Sequence, residues 1–349
     1  MTHAHVVVVK NTRIVVEKIS KENKIMKFKK IVVVGGGVLG SQIAFQSAYS
    51  GYKVTVLIRK EDNGEEVMNK LNRLHDTYLE TIKVMNTKVG KDASVWANGI
   101  ASLESFSKAT CTTKTNKAMS NITIETDQAT ALKGADLVIE SITEIFDVKT
   151  ALYKQIAPLM EEKTILVTNS STLLPSKLAK YTGRPEKFLA LHFANNIWHN
   201  NIAEVMGHDK TDKKYFDEVV KFAESIRMVP LAAKEEKSGY LLNSMLVPFL
   251  LSAMDMVANG VGDPETIDKA WTLGTGAPAG PFQILDVVGL ITAKNIVLQY
   301  QKVPNIFDPL LKKMMLPYNF DGMLRILNEY IDAGKLGKST GEGFYKYKK

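Results

Sequence analysis

Two ionisable residues twelve positions apart, His192 and Glu204, have the side chains of an acid/base pair. His192 lies near the end of an apolar strand-like run, and Glu204 lies in the apolar stretch 202–206, where a buried carboxylate needs a partner. In such a pair the imidazole removes the proton of a substrate hydroxyl as hydride leaves the same carbon, and the carboxylate fixes the ring tautomer. A lone histidine at a strand end is also compatible with a structural role. The assignment of a catalytic role therefore depends on the surrounding motifs.

A glycine-rich turn near the N-terminus predicts a binding site for a hydride carrier. The pattern G-x-G-x-x-G starts at Gly35, directly after the β-branched run 31–34 and at the start of the stretch 38–50, which has helical apolar spacing. The first glycine permits a tight turn, the second lets the backbone approach a pyrophosphate at the helix N-terminus, and the third allows close helix packing. The residues predicted to bind the dinucleotide here are Gly35, Gly37, Val38, Leu39 and Gly40.

The end of the second predicted strand bears on which dinucleotide is bound. NAD enzymes usually carry an acid there that accepts hydrogen bonds from the ribose, whereas this chain has Ile58, which cannot accept. Arg59 and Lys60 could pair with a 2′-phosphate, or they could be a solvated pair while Glu61 or Asp62 reaches the ribose. The sequence therefore predicts NAD or NADP, with NADP slightly favoured through Arg59.

Strand-like and helical runs alternate through the first two thirds of the chain. This alternation predicts a Rossmann-type α/β fold, with a doubly wound, mostly parallel sheet covered on both faces. Further strands are expected at 122–125, 136–141, 164–168 and 188–193, and a helix at 148–160. Helices separated by Gly and Pro then follow at 238–259, 264–273, 282–300 and 308–333. We expect an N-terminal extension at 1–25, the dinucleotide-binding domain at 26–233 and an all-α C-terminal domain at 234–349.

The amino-acid composition limits the classes of binding partner that are expected. The 349 residues carry 45 Lys+Arg and 37 Asp+Glu, and the resulting charge of +8 mildly favours polyanions such as nucleotides or coenzyme A. Basic runs are not interleaved with aromatic residues and no long apolar run occurs, so neither nucleic acid nor a membrane is an expected partner. Cys111 is the only cysteine, which predicts no metal site and a reducing, cytoplasmic location. The Thr-, Lys-, Ser- and Asn-rich segment 86–120 is predicted to be a surface excursion.

Several further motifs resemble the 3-hydroxyacyl-CoA dehydrogenases in order and spacing. They are VTNSSTL at 167–173, RPEKFLALHF at 184–193, EV at 204–205, GYLLNSMLVPFL at 239–250, GPFQILDVVGL at 280–290 and GEGFYKY at 341–347. The resemblance covers about residues 26–349 and is weakest at 60–120. It implies an NAD(P)-dependent enzyme that interconverts a (S)-3-hydroxyacyl-CoA and a 3-oxoacyl-CoA, and a homodimer formed through the helical domain.

The resemblance also assigns roles to matching residues. It implies that His192 and Glu204 are the acid/base pair, and that Ser171 and Asn243 bind the oxygen that alternates between hydroxyl and ketone. Without the resemblance, Ser171 reads as a loop serine and Asn243 as a helix residue capping a turn. The remaining matched positions are Glu144 and Lys149, near the cofactor, and Asn195, on the substrate side. Glu144 and Lys149 could equally be solvated charges at the start of a helix.

The segment after His192 departs from the family pattern. Most members continue as His-Phe-Phe-Asn-Pro, whereas this chain reads HFANNIWH at 192–199. Because this segment lines the substrate side in the family, Trp198 or His199 could occlude or reshape the pocket. The departure leaves open a free 3-hydroxy acid or sugar acid as substrate, as in relatives resembling gulonate or carnitine dehydrogenases, and a non-catalytic dinucleotide sensor. The helical region around 70–83, expected to meet coenzyme A, has basic residues but no matching motif.

Overall fold

The computed structural model describes residues 28–88, 90, 92, 95–301 and 318–347. The predicted extension at 1–25 and the first part of the predicted helix 308–333 lie outside these residues. Within them, an eight-stranded sheet with helices on both faces is followed by a helical domain. The predicted α/β class with an all-α C-terminal domain is confirmed.

The strands are short and lie in one sheet. They are β1 (Lys30–Val34), β2 (Lys53–Leu57), β3 (Ile122–Glu125), β4 (Leu137–Glu140), β5 (Ile165–Thr168), β6 (Phe188–Phe193), β7 (Ile202–Met206) and β8 (Val229–Ala232). Their order is β3-β2-β1-β4-β5-β6-β7-β8, and only the β6–β7 pair is antiparallel. The order reverses between β1 and β4, and in open parallel sheets ligands bind in the crevice beyond the carboxyl ends of such a strand pair.

Twelve described helices accompany the sheet or form the second domain. They are α1 (Val38–Tyr49), α2 (Gly64–Met85), α3 (Lys108–Ser120), α4 (Gln128–Leu132), α5 (Phe146–Ile156), α6 (Pro175–Leu178), α7 (Lys213–Ser225), α8 (Leu242–Ala258), α9 (Pro264–Thr275), α10 (Pro281–Val288), α11 (Leu290–Gln301) and α12 (Phe320–Asp332).

The sheet is buried on both faces, which explains why its strands have continuous apolar sequences. Successive residues of β1 enter different cores, Ile31 and Val33 on one face and Val32 and Val34 on the other. A third apolar cluster fills the helical domain. The strands predicted at 31–34, 122–125, 136–141, 164–168 and 188–193 agree with the structure to within one residue at each end, whereas the sequence analysis predicted neither β7 nor β8 as a strand.

The segment 86–120 is not a surface excursion, which corrects the prediction. Trp96 and Ala97 are buried in the main core, and the Trp96 indole N–H donates to the Ala101 carbonyl oxygen at 2.8 Å. Helix α3 then packs against α1 and α2 and buries Cys111 and Ala118. The abundant Thr, Lys and Asn residues of this segment lie mainly on the outside, so its few apolar residues were too sparse to reveal the packing.

The helical domain differs from the sequence prediction at 282–300, where two helices replace one. Gly289 has φ of +90°, and α10 and α11 meet there at a bend of 102°. No single described helix is long and apolar enough to cross a membrane; only the bent pair α10 and α11, counted together, reaches that length and composition.

The motifs at 280–290 and 341–347, which both resemble the family, contact each other in the helical domain. Asp286 of α10 is 1% exposed and accepts hydrogen bonds from the N–H groups of Phe344 and Tyr345 and from the Tyr347 hydroxyl, at 2.8 to 2.9 Å. A buried carboxylate is stable only when it is paired in this way. The segment 344–347 is therefore part of the domain's fold.

Candidate active site

The glycine-rich turn joins β1 to α1 in the crevice between β1 and β4. Gly35 has φ of +111°, a region that favours glycine, and a Cβ there would lie 2.5 Å from the Ser141 carbonyl oxygen. A Cβ on Gly40 would lie 2.2 Å from the Gly35 carbonyl oxygen, so only glycine lets α1 approach this closely. A Cβ on Gly37 would have no neighbour within 4 Å. This open space at the N-terminus of α1 fits a pyrophosphate.

A cavity of about 1180 Å³ opens beside this turn. Its walls include Gly35 and Gly37, the segment 58–63 after β2, and the segment 141–143 after β4. The two other predicted turn residues lie at the start of α1: Val38 is largely exposed, whereas Leu39 is partly buried against the core. The cavity lies where a Rossmann fold binds a dinucleotide, and the glycine-rich turn forms part of its wall.

The β2 end of the cavity holds Arg59 in an ion pair. Ile58 is 5% exposed within the core, and the next side chain, Arg59, extends outward. The Arg59 guanidinium lies 2.7 Å from Asp62 Oδ1 and 3.5 Å from Glu61 Oε1, and the Arg59 backbone N–H donates to Asp62 Oδ2 at 3.0 Å. The hydrogen bond from Arg59 lowers the pKa of the Asp62 carboxyl. The cation proposed for a 2′-phosphate thus already has carboxylate partners.

His192 and Glu204 lie opposite each other in the antiparallel β6–β7 pair. Nδ1–H of His192 donates to Glu204 Oε2 at 2.8 Å, and Nε2 accepts from the Ser171 hydroxyl at 3.2 Å. Burial raises the pKa of the Glu204 carboxyl, but hydrogen bonds from His192, Leu242 and Leu241 outweigh burial and hold this pKa below its ordinary range. Because an ionised carboxylate only accepts, Nδ1 carries a proton, and in the neutral imidazole the Nε2 lone pair faces Ser171.

Glu144 fixes the loop that carries Ser171. Its Oε1 accepts from the Ser170 hydroxyl at 2.5 Å and from the backbone N–H groups of Ser171 and Thr172 at 2.9 and 2.8 Å. Burial opposes ionisation of Glu144, yet these hydrogen bonds and the charge of Lys149 keep its pKa below the ordinary value. Glu144 therefore positions the serine loop, and it is not one of the residues that line the cavity.

A buried polar cluster lies under this loop. It includes Glu140, which was not among the predicted site residues. The Lys149 ammonium, 1% exposed, donates to Glu140 Oε1 at 2.6 Å and lies 3.5 Å from Glu144. Glu140 Oε2 accepts from the hydroxyls of Tyr153 and Thr168 at 2.6 and 2.8 Å. The structure thus places Lys149 beneath the site and not on the cavity wall. The signal that could have found Glu140 is a carboxylate inside an otherwise apolar strand.

The two predicted asparagines lie on either side of the acid/base pair along the chain. Asn243 is in the first turn of α8, directly after the two backbone N–H groups that donate to Glu204 at 2.9 Å. Asn195 follows β6, is exposed, and accepts through its carbonyl oxygen from Asn200. The structure brings Ser171, His192 and Glu204 into direct contact, and it places Asn243 next to Glu204 through the backbone.

Trp198, one of the two residues expected to reshape the substrate pocket, packs against α2 instead. Trp198 is 9% exposed, its ring packs 5.6 Å from the Tyr78 ring of α2, and its carbonyl oxygen accepts from Gly99 N–H. His199 is exposed, and burial of part of its ring lowers its pKa. The unusual sequence at 194–199 is therefore used for packing against α2 and the 96–101 segment, so Trp198 does not occlude the site.

A Rossmann sheet with a dinucleotide crevice and a Ser-His-Glu chain at its carboxyl edge defines a nicotinamide-dependent dehydrogenase. The 3-hydroxyacyl-CoA dehydrogenase NAD-binding domain model matches residues 30–236, and the C-terminal domain model of the same family matches residues 239–347. The chain belongs to the 3-hydroxyacyl-CoA dehydrogenase family. The predicted family and enzyme class are confirmed.

Individual relatives cover nearly the whole chain. Hydroxyacyl-coenzyme A dehydrogenase from human mitochondria is 32% identical over 92% of this chain and 91% of its own length. A 3-hydroxybutyryl-CoA dehydrogenase of Clostridioides difficile is 29% identical over 92% of this chain and all of its own. The solved structure of a diketoreductase, described as a catalyst acting on dicarbonyl compounds, is 43% identical, with a TM-score of 0.73 over 92% of this chain and 99% of its own.

Proposed function

We propose that this chain interconverts a (S)-3-hydroxyacyl-CoA and the corresponding 3-oxoacyl-CoA, with His192 as the acid/base. The observation that carries the proposal is the hydrogen-bonded chain from Ser171 through His192 to Glu204. A bound nicotinamide supplies or accepts the hydride. During oxidation, His192 Nε2 takes the hydroxyl proton and Glu204 balances the charge on the ring; during reduction, the same nitrogen returns the proton to the ketone oxygen. Ser171 and Asn243 hold that oxygen.

The variant His192→Gln tests this role. Turnover of acetoacetyl-CoA should be abolished, while the affinity for NADH, measured by fluorescence titration, stays nearly unchanged. Lys213 is a suitable control, because it is exposed and pairs with Asp217 on the surface of α7. Lys213→Gln should keep full activity. Unaltered turnover in His192→Gln would remove His192 from the mechanism.

We propose NAD as the preferred dinucleotide, although the sequence alone slightly favours NADP. The proposal is supported by the contacts of Arg59, whose guanidinium is already paired with Asp62 and Glu61. The four side chains at 59–62 also sum to zero charge, so a 2′-phosphate would meet no net positive potential there. The kcat/KM with NADH should exceed that with NADPH, and the reverse order would contradict the proposal.

A second candidate reaction is reduction of a dicarbonyl compound that carries no coenzyme A. It is supported by the 43% identity to the diketoreductase. The lysines expected near coenzyme A also have partners: Lys70 lies 2.7 Å from Glu66, and Lys83 lies 2.9 Å from Glu80. Acetoacetyl-CoA and a small free dicarbonyl should be compared as hydride acceptors. A higher kcat/KM for the free compound would favour this second reaction.

We further propose a homodimer formed by the helical domain, in the cytoplasm. The domain exposes large apolar side chains, with Leu273 84% and Val261 73% exposed, together with Met245, Val287 and Ile291. Large apolar side chains exposed in one domain favour burial of that domain in an interface between two copies of the chain. Light scattering should give twice the chain mass, and a monomer would contradict the proposal. The cytoplasmic location is supported by the free, buried Cys111 and would be tested by fractionation.

A further inference from the structure

The short segment 238–243, which leads into α8 and includes its first two residues, contacts every member of the Ser-His-Glu chain. The N–H of Gly239 donates to the Ser171 carbonyl oxygen at 3.2 Å. The N–H groups of Leu241 and Leu242 both donate to Glu204 Oε1 at 2.9 Å. Between these contacts, the ring of Tyr240 lies over the imidazole of His192. Consecutive residues of one segment thus hold consecutive members of the catalytic chain.

Tyr240 meets His192 as a stacked pair. The two ring centroids are 4.7 Å apart, and the ring planes differ by 23°, which is the offset-stacked arrangement that aromatic rings favour. Tyr240 is 1% exposed and also packs against Ala190, Met206 and Leu174. Two contacts therefore fix the orientation of the His192 imidazole: the Tyr240 ring packs on its face, and Glu204 is hydrogen-bonded to its edge.

The backbone of Tyr240 is strained in order to make this contact. Its φ is +52°, a left-handed value that side chains other than glycine rarely adopt. Such strain persists only where neighbouring contacts determine the conformation, and it is concentrated at functional sites. Here the contacts are the hydrogen bonds of Gly239, Leu241 and Leu242 to the site and that of the Ser244 hydroxyl to the Tyr240 carbonyl oxygen.

The hydroxyl group of Tyr240 does not explain the placement. Among the described residues it is buried and has no hydrogen-bond partner. A buried hydroxyl without a partner is unfavourable, so the benefit of this residue must come from its ring. Phenylalanine would keep the stack and remove the unpaired oxygen.

We propose that Tyr240 is a positioning residue for the acid/base His192, a role that rests on the proposed function. Its ring sets the plane of the imidazole so that Nε2 faces the reacting oxygen while Nδ1 stays hydrogen-bonded to Glu204. Small displacements of reacting groups lower turnover more than they lower binding, because only the reacting geometry depends on them. The ring should therefore affect kcat and leave dinucleotide affinity unchanged.

Two substitutions at one position test this role. Tyr240→Leu should lower kcat by about tenfold or more, with the KM for NADH unchanged. Tyr240→Phe should keep kcat within about twofold and should not lower the melting temperature, because it removes an unpaired buried oxygen. As a control, Tyr330→Leu removes a ring that packs on Phe344 in the helical domain, and it should lower the melting temperature while kcat stays unchanged.

A spectroscopic measurement keeps the test informative if a variant is unstable. The ring protons of His192, assigned by their absence in His192→Gln, should be shifted upfield by the tyrosine ring, and the shift should survive in Tyr240→Phe and disappear in Tyr240→Leu. A Leu variant with wild-type kcat, or a Phe variant as slow as Leu, would overturn the positioning role. An active His192→Gln variant would instead overturn the proposed function, so the two failures are distinguishable.

Discussion

Replacing Glu204 by glutamine tests the acid/base pair without changing its shape. The carboxylate accepts on both oxygens, from His192 Nδ1 on one and from the N–H groups of Leu241 and Leu242 on the other. A glutamine has one oxygen and one NH₂ group. If the oxygen faces the two backbone N–H groups, the NH₂ faces Nδ1 and selects the wrong tautomer, with the proton on Nε2. If the amide is flipped, NH₂ opposes two donors.

The structure also gives the size of the effect. The Glu204 carboxylate and the imidazolium formed during oxidation have charge centres roughly 4 Å apart, which corresponds to about 4 kcal/mol at an effective dielectric constant of about 20. This attraction is lost in the glutamine variant just when the ring becomes charged. At about 1.4 kcal/mol for each factor of ten, kcat should fall by roughly a thousandfold.

The assay is steady-state reduction of NAD by (S)-3-hydroxybutyryl-CoA, the direction in which the imidazolium forms, beside a titration of NADH binding. The expected result is a large loss in kcat with dinucleotide affinity unchanged. The pH dependence of unfolding is an internal check on the same variant. Because hydrogen bonds depress the pKa of Glu204 in the folded chain, its stabilising contribution is present above about pH 4.3 and is lost as pH falls through the lower folded pKa. This part of the acid sensitivity should disappear in Glu204→Gln, and a kcat within threefold of wild type would refute the reasoning.

Three further substitutions address the cofactor crevice and its support. Asp62→Asn weakens the ion pair that holds Arg59, so kcat/KM for NADPH relative to NADH should rise; an unchanged ratio would show that this pair does not control selectivity. Gly40→Ala places a methyl group 2.2 Å from a carbonyl oxygen of the same turn, and thermal unfolding should show a loss of about 1–3 kcal/mol together with weaker NADH binding. Lys149→Met leaves the buried Glu140 without its cation and should destabilise the fold by about 3–5 kcal/mol in urea, an effect that a second change, Glu140→Gln, should partly reverse.

The sequence predicted the parts of the site that depend on local pattern. The glycine turn is predictable because its spacing follows from the contacts of Gly35 and Gly40 with neighbouring backbone. The His192–Glu204 contact is predictable because a carboxylate inside the apolar stretch 202–206 needs a partner, and His192 lies in a neighbouring apolar run. The family resemblance then supplied Ser171, which the structure places 3.2 Å from His192.

Other contacts depend on residues that are distant in sequence and carry no local signal. Tyr240 stacks on a histidine 48 positions earlier, and its left-handed backbone has no marker in the sequence except the preceding glycine. Lys149 reads as a surface lysine of an amphipathic helix, yet its ammonium is bound to a carboxylate inside β4. In both cases the sequence shows a charged or aromatic residue, but it does not show which residue that side chain contacts.

The position of the segment 238–243 constrains how this enzyme could be recombined. The match to the NAD-binding domain model ends at residue 236 and the match to the C-terminal domain model begins at residue 239, so the residues that hold Ser171, His192 and Glu204 fall within the C-terminal match. A chimera joined at the boundary between the two matches would combine the catalytic side chains of one parent enzyme with the segment 238–243 of another. Exchanges of the helical domain should therefore keep residues 238–243 with the sheet domain and place the junction inside α8.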